Sequence, residues 1–251
     1  MDYVLITGAS TGIGYELAKV YAKHGANLIL VATNEERLQE VKDEIQRSYQ
    51  VEIEIITKDL SHIGAACELY QEIMKKSLCV KELVNNAGVG FVGEFTNIPY
   101  QFEEDMMVLN MVNLLGLTKL FLIDMKYRNE GRILNVASNG AFQPGPYIAS
   151  YYATKAFVLN FTEAIRMENA KSNIHIATLC PGATRTNFPG RAGREQATNA
   201  MSPEKVAEIT YEKFHKNKKV IIPGVANRLA LLVPKKLRSI FIHKYQKKIL
   251  K

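Results

Sequence analysis

The sequence has no tryptophan, and its 251 residues include only three cysteines, Cys67, Cys79 and Cys180. Their wide spacing matches neither a disulfide framework nor a zinc site. The five histidines do not show the spacing of metal ligands either, so we expect no bound metal. Sparse cysteine favours a reducing compartment, and we predict a cytoplasmic protein.

Long hydrophobic runs are also missing. No apolar run approaches the roughly 18 residues that are needed to span a bilayer, so we expect no transmembrane helix. The chain opens on the apolar strand pattern Tyr3–Ile6, without a basic segment and a long apolar core. We therefore expect that no signal peptide exports it.

Acidic residues are absent from residues 224–251, which carry eight Lys or Arg. The formal charge of the whole chain is +7, so the other residues sum to +7 − 8 = −1. A nearly neutral body gives no support to nucleic-acid binding. We expect this basic extension to form helices beside a cleft, the alternatives being an interfacial helix on an anionic membrane and an altered subunit interface. Its apolar positions are Leu229, Leu232, Val233, Leu237, Ile240 and Phe241.

Buried-strand patterns alternate with amphipathic helix patterns along the whole chain, without a linker or a repeat. This order predicts an α/β fold with a Rossmann-like, doubly wound parallel sheet of about seven strands between two helical layers. We predict one domain over residues 1–251, with residues 224–251 as its C-terminal helical extension.

A glycine-rich turn lies at the first junction between a strand and a helix, in residues 7–14. Glycines let the backbone approach a pyrophosphate closely, and the free N–H groups at the helix start receive its charge. No Lys-Ser or Lys-Thr pair follows, which excludes the phosphate loop of ATPases. The candidate dinucleotide-binding residues of this turn are Gly8, Ser10, Thr11, Gly12, Ile13 and Gly14.

The end of the second strand bears on the choice of cofactor. An Asp at this point would accept from the ribose 2′-hydroxyl of NAD and repel the 2′-phosphate of NADP. The sequence has Ala32, Thr33 and Asn34 instead, with Arg37 one helical turn later, so NADP(H) is favoured over NAD(H). Thr33 with Glu36 also fits a capping box for the next helix.

Polar and small residues follow later strands. Asp59 could accept from an adenine amino group, with Leu60 beside the base, or it could cap a helix. Asn86, Ala87 and Gly88 permit close packing of the backbone against a cofactor. Further along, Ser138 ends a strand, and Asn110 lies on an apolar helix where its amide needs hydrogen-bond partners. Another strand ends in Pro181 and Gly182, followed by Thr184 and Thr186.

Tyr151 and Lys155 are the most informative pair in the chain. Residues four apart lie on one face of a helix, so the phenol and the ammonium are adjacent. A neighbouring positive charge lowers the pKa of a phenol from about 10, which makes Tyr151 a better acid–base catalyst near neutral pH.

Together these motifs, in this order and approximate spacing, resemble the short-chain dehydrogenase/reductase family up to about Ile222. The resemblance implies that Tyr151 is the acid or base and that Lys155 lowers its pKa and holds the nicotinamide ribose. It also implies that Ser138 binds the substrate oxygen, and that Asn110 holds a water linked to Lys155. The cofactor-binding residues would be those of the glycine turn, Thr33, Asn34, Arg37, Asp59, Leu60, Asn86, Ala87, Gly88, Tyr151, Lys155, Pro181, Gly182, Thr184 and Thr186.

This resemblance implies an enzyme that transfers a hydride between NADP(H) and a ketone or secondary alcohol, such as a carbonyl or 3-oxoacyl-type reductase. An NADP(H)-binding redox sensor without turnover is the main alternative, and a methyltransferase is a third. We expect a small-molecule substrate and, by analogy, a homodimer or homotetramer. Aromatic residues expected around the cleft are Phe91, Phe95, Phe142, Tyr147 and Phe188, with Arg191 and Arg194 on a flap between Arg185 and Met201.

Overall fold

Seven strands form one sheet at the centre of the computed structural model, which describes residues 1–186 and 200–249. The strands are β1 (Asp2–Thr7), β2 (Asn27–Ala32), β3 (Ile53–Thr57), β4 (Cys79–Asn85), β5 (Gly131–Val136), β6 (Ile174–Leu179) and β7 (Val220–Ile221). Their order across the sheet is β3-β2-β1-β4-β5-β6-β7, and every neighbouring pair is parallel. The predicted doubly wound parallel sheet is confirmed.

Helices connect the strands and cover both faces of the sheet. They are α1 (Gly12–Lys23), α2 (Glu35–Ser48), α3 (Ala65–Lys75), α4 (Tyr100–Met107), α5 (Leu114–Arg128), α6 (Ala149–Glu168), α7 (Pro203–His215), α8 (Val225–Ala230) and α9 (Lys235–Ile249). A π-helical segment, Val108–Asn113, joins α4 to α5.

The two faces of the sheet have separate apolar cores. On one face, Leu17 of α1, Leu38 of α2 and Phe214 of α7 are fully buried in one cluster with sheet residues. On the other, Leu69 of α3 and Phe121 of α5 are buried in a second cluster. Burial of each such side chain contributes about 1.5–3 kcal/mol. Helices on both faces leave the carboxyl-end edge of the parallel strands open for a ligand.

Two element boundaries differ from the sequence expectation. Asn34, rather than Thr33, caps α2, because its Oδ1 accepts from the N–H of Arg37 at 2.7 Å. Strand β3 begins two residues later than expected. The N–H of Val51 bonds the carbonyl of Tyr49, and that of Glu52 bonds Oδ1 of Asn27, so neither joins a strand ladder. The predicted position of this strand at the sheet edge is confirmed.

The helical stretch Tyr100–Arg128 is long and apolar enough to cross a membrane by length and composition. Its most apolar 18-residue window has a mean hydropathy of 1.8, so the expectation that no apolar run approaches the length of a membrane span is wrong. Asn110 and Asn113 lie within this stretch, but the apolar residues around them keep its mean hydropathy high. Within the stretch, Leu117 and Phe121 are buried against the sheet, as in the core helix of a globular fold.

Candidate functional site

The carboxyl ends of the strands surround a cleft of about 400 Å³. It lies where the strand order reverses, between β1 and β4, which is the usual ligand position in open α/β sheets. The glycine turn, the ends of β2 to β6 and the start of α6 all contribute to its walls. The sequence-predicted residues that line it are Gly8, Ser10, Thr11, Gly12, Ile13, Thr33, Asp59, Leu60, Asn86, Ala87, Gly88, Ser138, Tyr151, Lys155, Pro181, Gly182, Thr184 and Thr186.

The glycine turn is held in place from β4. Nδ2 of Asn86 donates to the carbonyls of Thr7 at 2.9 Å and Gly8 at 3.2 Å. Oγ1 of Thr7 accepts from the N–H groups of Asn86 and Ala87, each at 3.0 Å. These bonds fix the turn at its crossing with the next strand. A methyl group on Gly14 would lie 2.3 Å from the Gly8 carbonyl oxygen, so this position admits only glycine without displacement of the turn.

The gap across the cleft is narrow at Gly12, whose φ of +61° is in the left-handed region. A methyl group there would lie 3.1 Å from Cγ2 of Thr186 on the opposite wall. Thr184 on this wall donates through Oγ1 to the Gly182 carbonyl at 3.1 Å. A backbone cradle of this kind fits the pyrophosphate of a dinucleotide. Phe188, Arg191 and Arg194 lie outside the described residues.

Arg37 connects α2 to the glycine turn. Its Nε donates to the carbonyl of Ser10 at 3.2 Å, and its Nη1 pairs with Glu40 at 2.7 Å. The guanidinium also lies over the ring of Tyr15, 5.6 Å from its centroid. Neither Arg37 nor Asn34 lines the cleft. Asn34 is the N-cap of α2, and Arg37 contacts the glycine turn through the Ser10 carbonyl.

The far end of the cleft contains Asp59 and Leu60. Oδ1 of Asp59 accepts from the N–H of Ser61 at 2.8 Å, so it shapes its own loop and is not the cap of α3, which is Gly64. The carbonyl of Leu60 accepts from Nδ2 of Asn113 at 2.8 Å. Asn113 thereby ties this loop to the π-helical segment.

Tyr151 and Lys155 lie in the first turns of α6 and both line the cleft. Nζ of Lys155 is 5.8 Å from the centroid of the Tyr151 ring, so the predicted adjacency of the two side chains is present. Nζ also donates to the carbonyl of Val136 at 2.9 Å. Burial lowers the pKa of Lys155 from 10.5 to about 8, and the nearby Cys180 acts in the opposite direction. The ammonium is thus held in a site that partly disfavours its charge.

Ser138 follows β5 at the cleft. Its backbone is extended, and its Oγ accepts from the N–H of Gly140 at 3.1 Å, which caps a short 3-10 turn, Asn139–Phe142. This bond leaves the hydroxyl hydrogen available for an acceptor in the cleft.

Asn110 lies behind the cleft wall and is fully buried in the π-helical segment. Its side-chain amide forms two hydrogen bonds with the backbone of Val89. Nδ2 donates to the Val89 carbonyl at 2.9 Å, and Oδ1 accepts from the Val89 N–H at 3.1 Å. Nδ2 also donates to Oγ1 of Thr154 at 3.1 Å. A methyl group on Gly88 would lie 3.1 Å from Oδ1 of Asn110 and 3.2 Å from Nζ of Lys155. Asn110 therefore approaches Lys155 across Gly88 without lining the cleft.

The aromatic residues expected around the cleft do not line it in the described part of the chain. Phe91 stacks on Phe102 at 5.0 Å, and Phe95 is 66% exposed. Phe142 packs into a separate apolar cluster, and Tyr147 faces His243 of α9 at 5.4 Å. Loop composition indicated nearby aromatics but not the direction of their side chains.

Several cleft residues were missed from the sequence: Lys58, Val89, Gln143, Ile148 and Tyr152. Lys58 directly precedes Asp59, so its position at a strand end was the available signal. Gln143 accepts from Nη1 of Arg238 in α9 at 2.5 Å. No local pattern marks this contact, because its partners are far apart in sequence. Within the described residues, no group of three or more His, Cys, Asp or Glu could hold a metal ion.

Comparison with known proteins defines the family. The family model for short chain dehydrogenases matches residues 2–197. Dehydrogenase/reductase SDR family member 7B of Danio rerio is 30% identical over 244 residues, 91% of this chain and 79% of that protein. A 7beta-hydroxysteroid dehydrogenase of Mediterraneibacter gnavus is 26% identical over 226 residues, 88% of this chain and 85% of that protein. The solved structure of a short-chain dehydrogenase from Sphingobium yanoikuyae in complex with NADPH matches with a TM-score of 0.86 and 28% identity, over 96% of this chain and 95% of that one.

The chain belongs to the short-chain dehydrogenase/reductase family, as its motifs predicted. It is an oxidoreductase that acts on CH–OH and C=O groups.

Proposed function

We propose that this protein is an NADP(H)-dependent carbonyl reductase that interconverts a bulky ketone and the matching secondary alcohol. The observation that carries the proposal is that Ser138, Tyr151 and Lys155 line one cleft together with the glycine turn. A binding protein without turnover needs the turn but has no use for a proton donor beside it.

Tyr151 donates a proton to the carbonyl oxygen during reduction and removes it during oxidation. Lys155, 5.8 Å from the Tyr151 ring centroid, favours the phenolate electrostatically and holds the nicotinamide ribose hydroxyls. Ser138 donates its hydroxyl hydrogen to the substrate oxygen as charge develops there. The nicotinamide, when bound, supplies or accepts the hydride. Asn110 positions α6 and the Val89 backbone, and supports a water beside Lys155.

The preference for NADP(H) rests on the residues near the end of β2. Ala32 and Thr33 line the cleft where a carboxylate would repel a 2′-phosphate, and neither is acidic. Lys58 lines the cleft as well and adds a positive charge. Nζ of Lys58 also pairs with the carboxylates of Glu68 at 3.5 Å and Glu72 at 3.7 Å. Lys58 therefore attracts a 2′-phosphate less strongly than an unpaired lysine would.

A bulky, largely apolar substrate agrees with the substrate end of the cleft, where Val89, Ile148 and Tyr152 lie beside Tyr151. Likeness to a 7beta-hydroxysteroid dehydrogenase supports the same size class. A 3-oxoacyl thioester remains the second substrate candidate. The free cysteines Cys67, Cys79 and Cys180 agree with a cytoplasmic location, which we also propose.

The first experiment is a titration of the purified protein with NADPH and NADH, followed by nicotinamide fluorescence at fixed salt. We expect saturable binding that is tighter for NADPH. A panel of steroid ketones, bulky aryl ketones and 3-oxoacyl thioesters is then assayed for NADPH oxidation. Binding of NADPH without turnover of any ketone or alcohol would favour the redox sensor, and binding of neither cofactor would refute the proposal.

A further inference from the structure

The basic extension differs from the rest of the molecule in charge. Residues 224–251 carry +8 without an acidic residue, whereas the remainder sums to −1. A surface whose charges are all positive attracts a negatively charged partner and repels a second copy of itself. A symmetric contact between two copies would bring the same positive patch against itself.

The extension is attached to the body at the cleft. Nη1 of Arg238 in α9 donates to Oε1 of Gln143, and Nη2 to the Phe142 carbonyl at 3.4 Å. The ring of His243 lies 5.4 Å from that of Tyr147. Because Gln143 lines the cleft, α9 adjoins the loop that borders the substrate end. The opposite face of α9 points to solvent.

That outer face combines apolar and basic residues in neighbouring rows. Leu237, Phe241 and Tyr245 follow one another four residues apart, so they form one row along α9. Lys244 and Lys248 form a row beside it. Phe241 is 72% exposed and Leu237 56% exposed, and their position in one row makes them a contiguous apolar strip rather than isolated exposed side chains.

The chain directly before α9 is exposed as well and contains the same two kinds of residue. Leu229 of α8, Leu232 and Val233 are all exposed, with Leu232 at 78%. Arg228, Lys235 and Lys236 flank them in the sequence and are exposed as well. Long lysine and arginine stems can lie along an apolar layer while their charged ends remain in the headgroup region.

We propose that the outer surface of α8 and α9 binds an anionic lipid bilayer and directs the border of the cleft toward it. Anionic headgroups match the one-signed charge, and each nearby Lys or Arg raises affinity roughly fivefold. Leu232 and Phe241 enter the boundary between headgroups and acyl chains. An acidic protein would satisfy the charge, but it would also need an apolar groove that matches the exposed row along α9, whereas a bilayer supplies both chemistries to any such surface.

The test is flotation of the full chain with vesicles of phosphatidylglycerol and phosphatidylcholine, against vesicles of phosphatidylcholine alone. We expect binding to the anionic vesicles only, with affinity that falls as salt rises. The charge variant Lys236→Glu, Lys244→Glu, Lys248→Glu should lose at least about a hundredfold in affinity, because it removes three positive charges and adds three negative ones. Its control, Lys75→Glu, Lys171→Glu, Lys218→Glu, changes the net charge equally on other surfaces and should retain most of the binding.

A second pair of variants separates insertion from charge attraction. Leu232→Ser with Phe241→Ser should lower affinity at least tenfold at unchanged charge, whereas Ile63→Ser with Tyr127→Ser should not. NADPH binding by each variant reports that it is folded, and flotation does not depend on turnover. The proposal is overturned if the wild type floats with neither vesicle or if the two charge variants bind equally. Self-association that only the α9 charge variant loses, without vesicle binding, would instead assign this surface to a second copy.

Discussion

Asn110 and Thr154 are joined by a hydrogen bond of 3.1 Å between Nδ2 and Oγ1, although they lie on different helices. Thr154 directly precedes Lys155, and its own hydroxyl donates to the Tyr151 carbonyl at 2.8 Å. The π-helical segment is thus connected by one side chain to the turn of α6 that carries the proposed acid–base pair.

Replacement of Asn110 by Leu should therefore destabilise the fold and impair catalysis. The variant leaves the N–H and carbonyl of Val89 without their side-chain partners, at a cost of about 2–3 kcal/mol. Urea unfolding measures this loss, and kcat measures the effect on α6. Asn160→Leu, which removes an exposed amide bonded only to its own helix, should change either quantity little.

Replacement of Tyr151 by Phe removes the proposed proton donor but retains the ring. We expect kcat to fall by about 10²–10⁴-fold while the affinity for NADPH changes little. Tyr127→Phe, at a position 94% exposed, is the matched control and should be indistinguishable from wild type. Turnover near the wild-type value in Tyr151→Phe would remove Tyr151 from the mechanism.

Replacement of Gly14 by Ala should weaken cofactor binding without any change in charge. The added methyl meets the Gly8 carbonyl oxygen at 2.3 Å and Nδ2 of Asn86 at 2.5 Å, so the turn must move. We expect the Kd for NADPH to rise at least about tenfold because the cradle is displaced. Gly25→Ala has open space around the methyl, and its φ of +78° costs only about 1 kcal/mol of stability. Equal Kd values for the two variants would contradict this explanation.

The buried Lys155 should make the stability of the cofactor-free protein depend on pH. Its pKa is about 8 in the folded state, against 10.5 for an exposed lysine, so the unfolded state binds more protons between these limits. The free energy of unfolding therefore rises as pH increases from about 8 to about 10.5, by roughly 3 kcal/mol at most. Below pH 8 both states carry the proton and the contribution is constant. Urea unfolding across this range measures the rise, which Lys155→Met should lack.

Replacement of Thr33 by Asp tests the proposed choice of cofactor. A carboxylate at this cleft-lining position should repel a 2′-phosphate and raise the Kd for NADPH at least about tenfold. The Kd for NADH should change less or fall, since its ribose hydroxyl can donate to the new group. Thr33→Asn supplies a similar shape without the charge. An equal effect of Asp and Asn on NADPH binding would show that the 2′-phosphate lies elsewhere.

Local sequence patterns predicted the features that depend on near neighbours. The buried runs of β1 and β2, the glycine turn and the four-residue spacing of Tyr151 and Lys155 all specify their own geometry. The π-helical geometry around Asn110 does not follow from composition, because its side-chain partners come from a distant loop and from α6. The hydrogen bond between Arg238 and Gln143 joins residues that are 95 positions apart, and no local sequence pattern predicts a contact at that separation. The prediction that loop aromatics such as Phe91 and Tyr147 line the cleft was wrong. Composition shows which residues a loop contains, but it does not show where their side chains point.

The long apolar helix from Tyr100 to Arg128 also has a consequence for synthesis of the protein. Its buried face packs in one cluster with Ile133 of β5 and Ile176 of β6, which leave the ribosome after it. When residues 100–128 emerge, this apolar face therefore has only its earlier partners, such as Leu69 of α3 and Leu83 of β4, and lacks the part of its cover that β5 and β6 supply. We expect chaperones or targeting factors that recognise apolar segments to bind the chain at this stage of translation. In the folded enzyme the same face is buried.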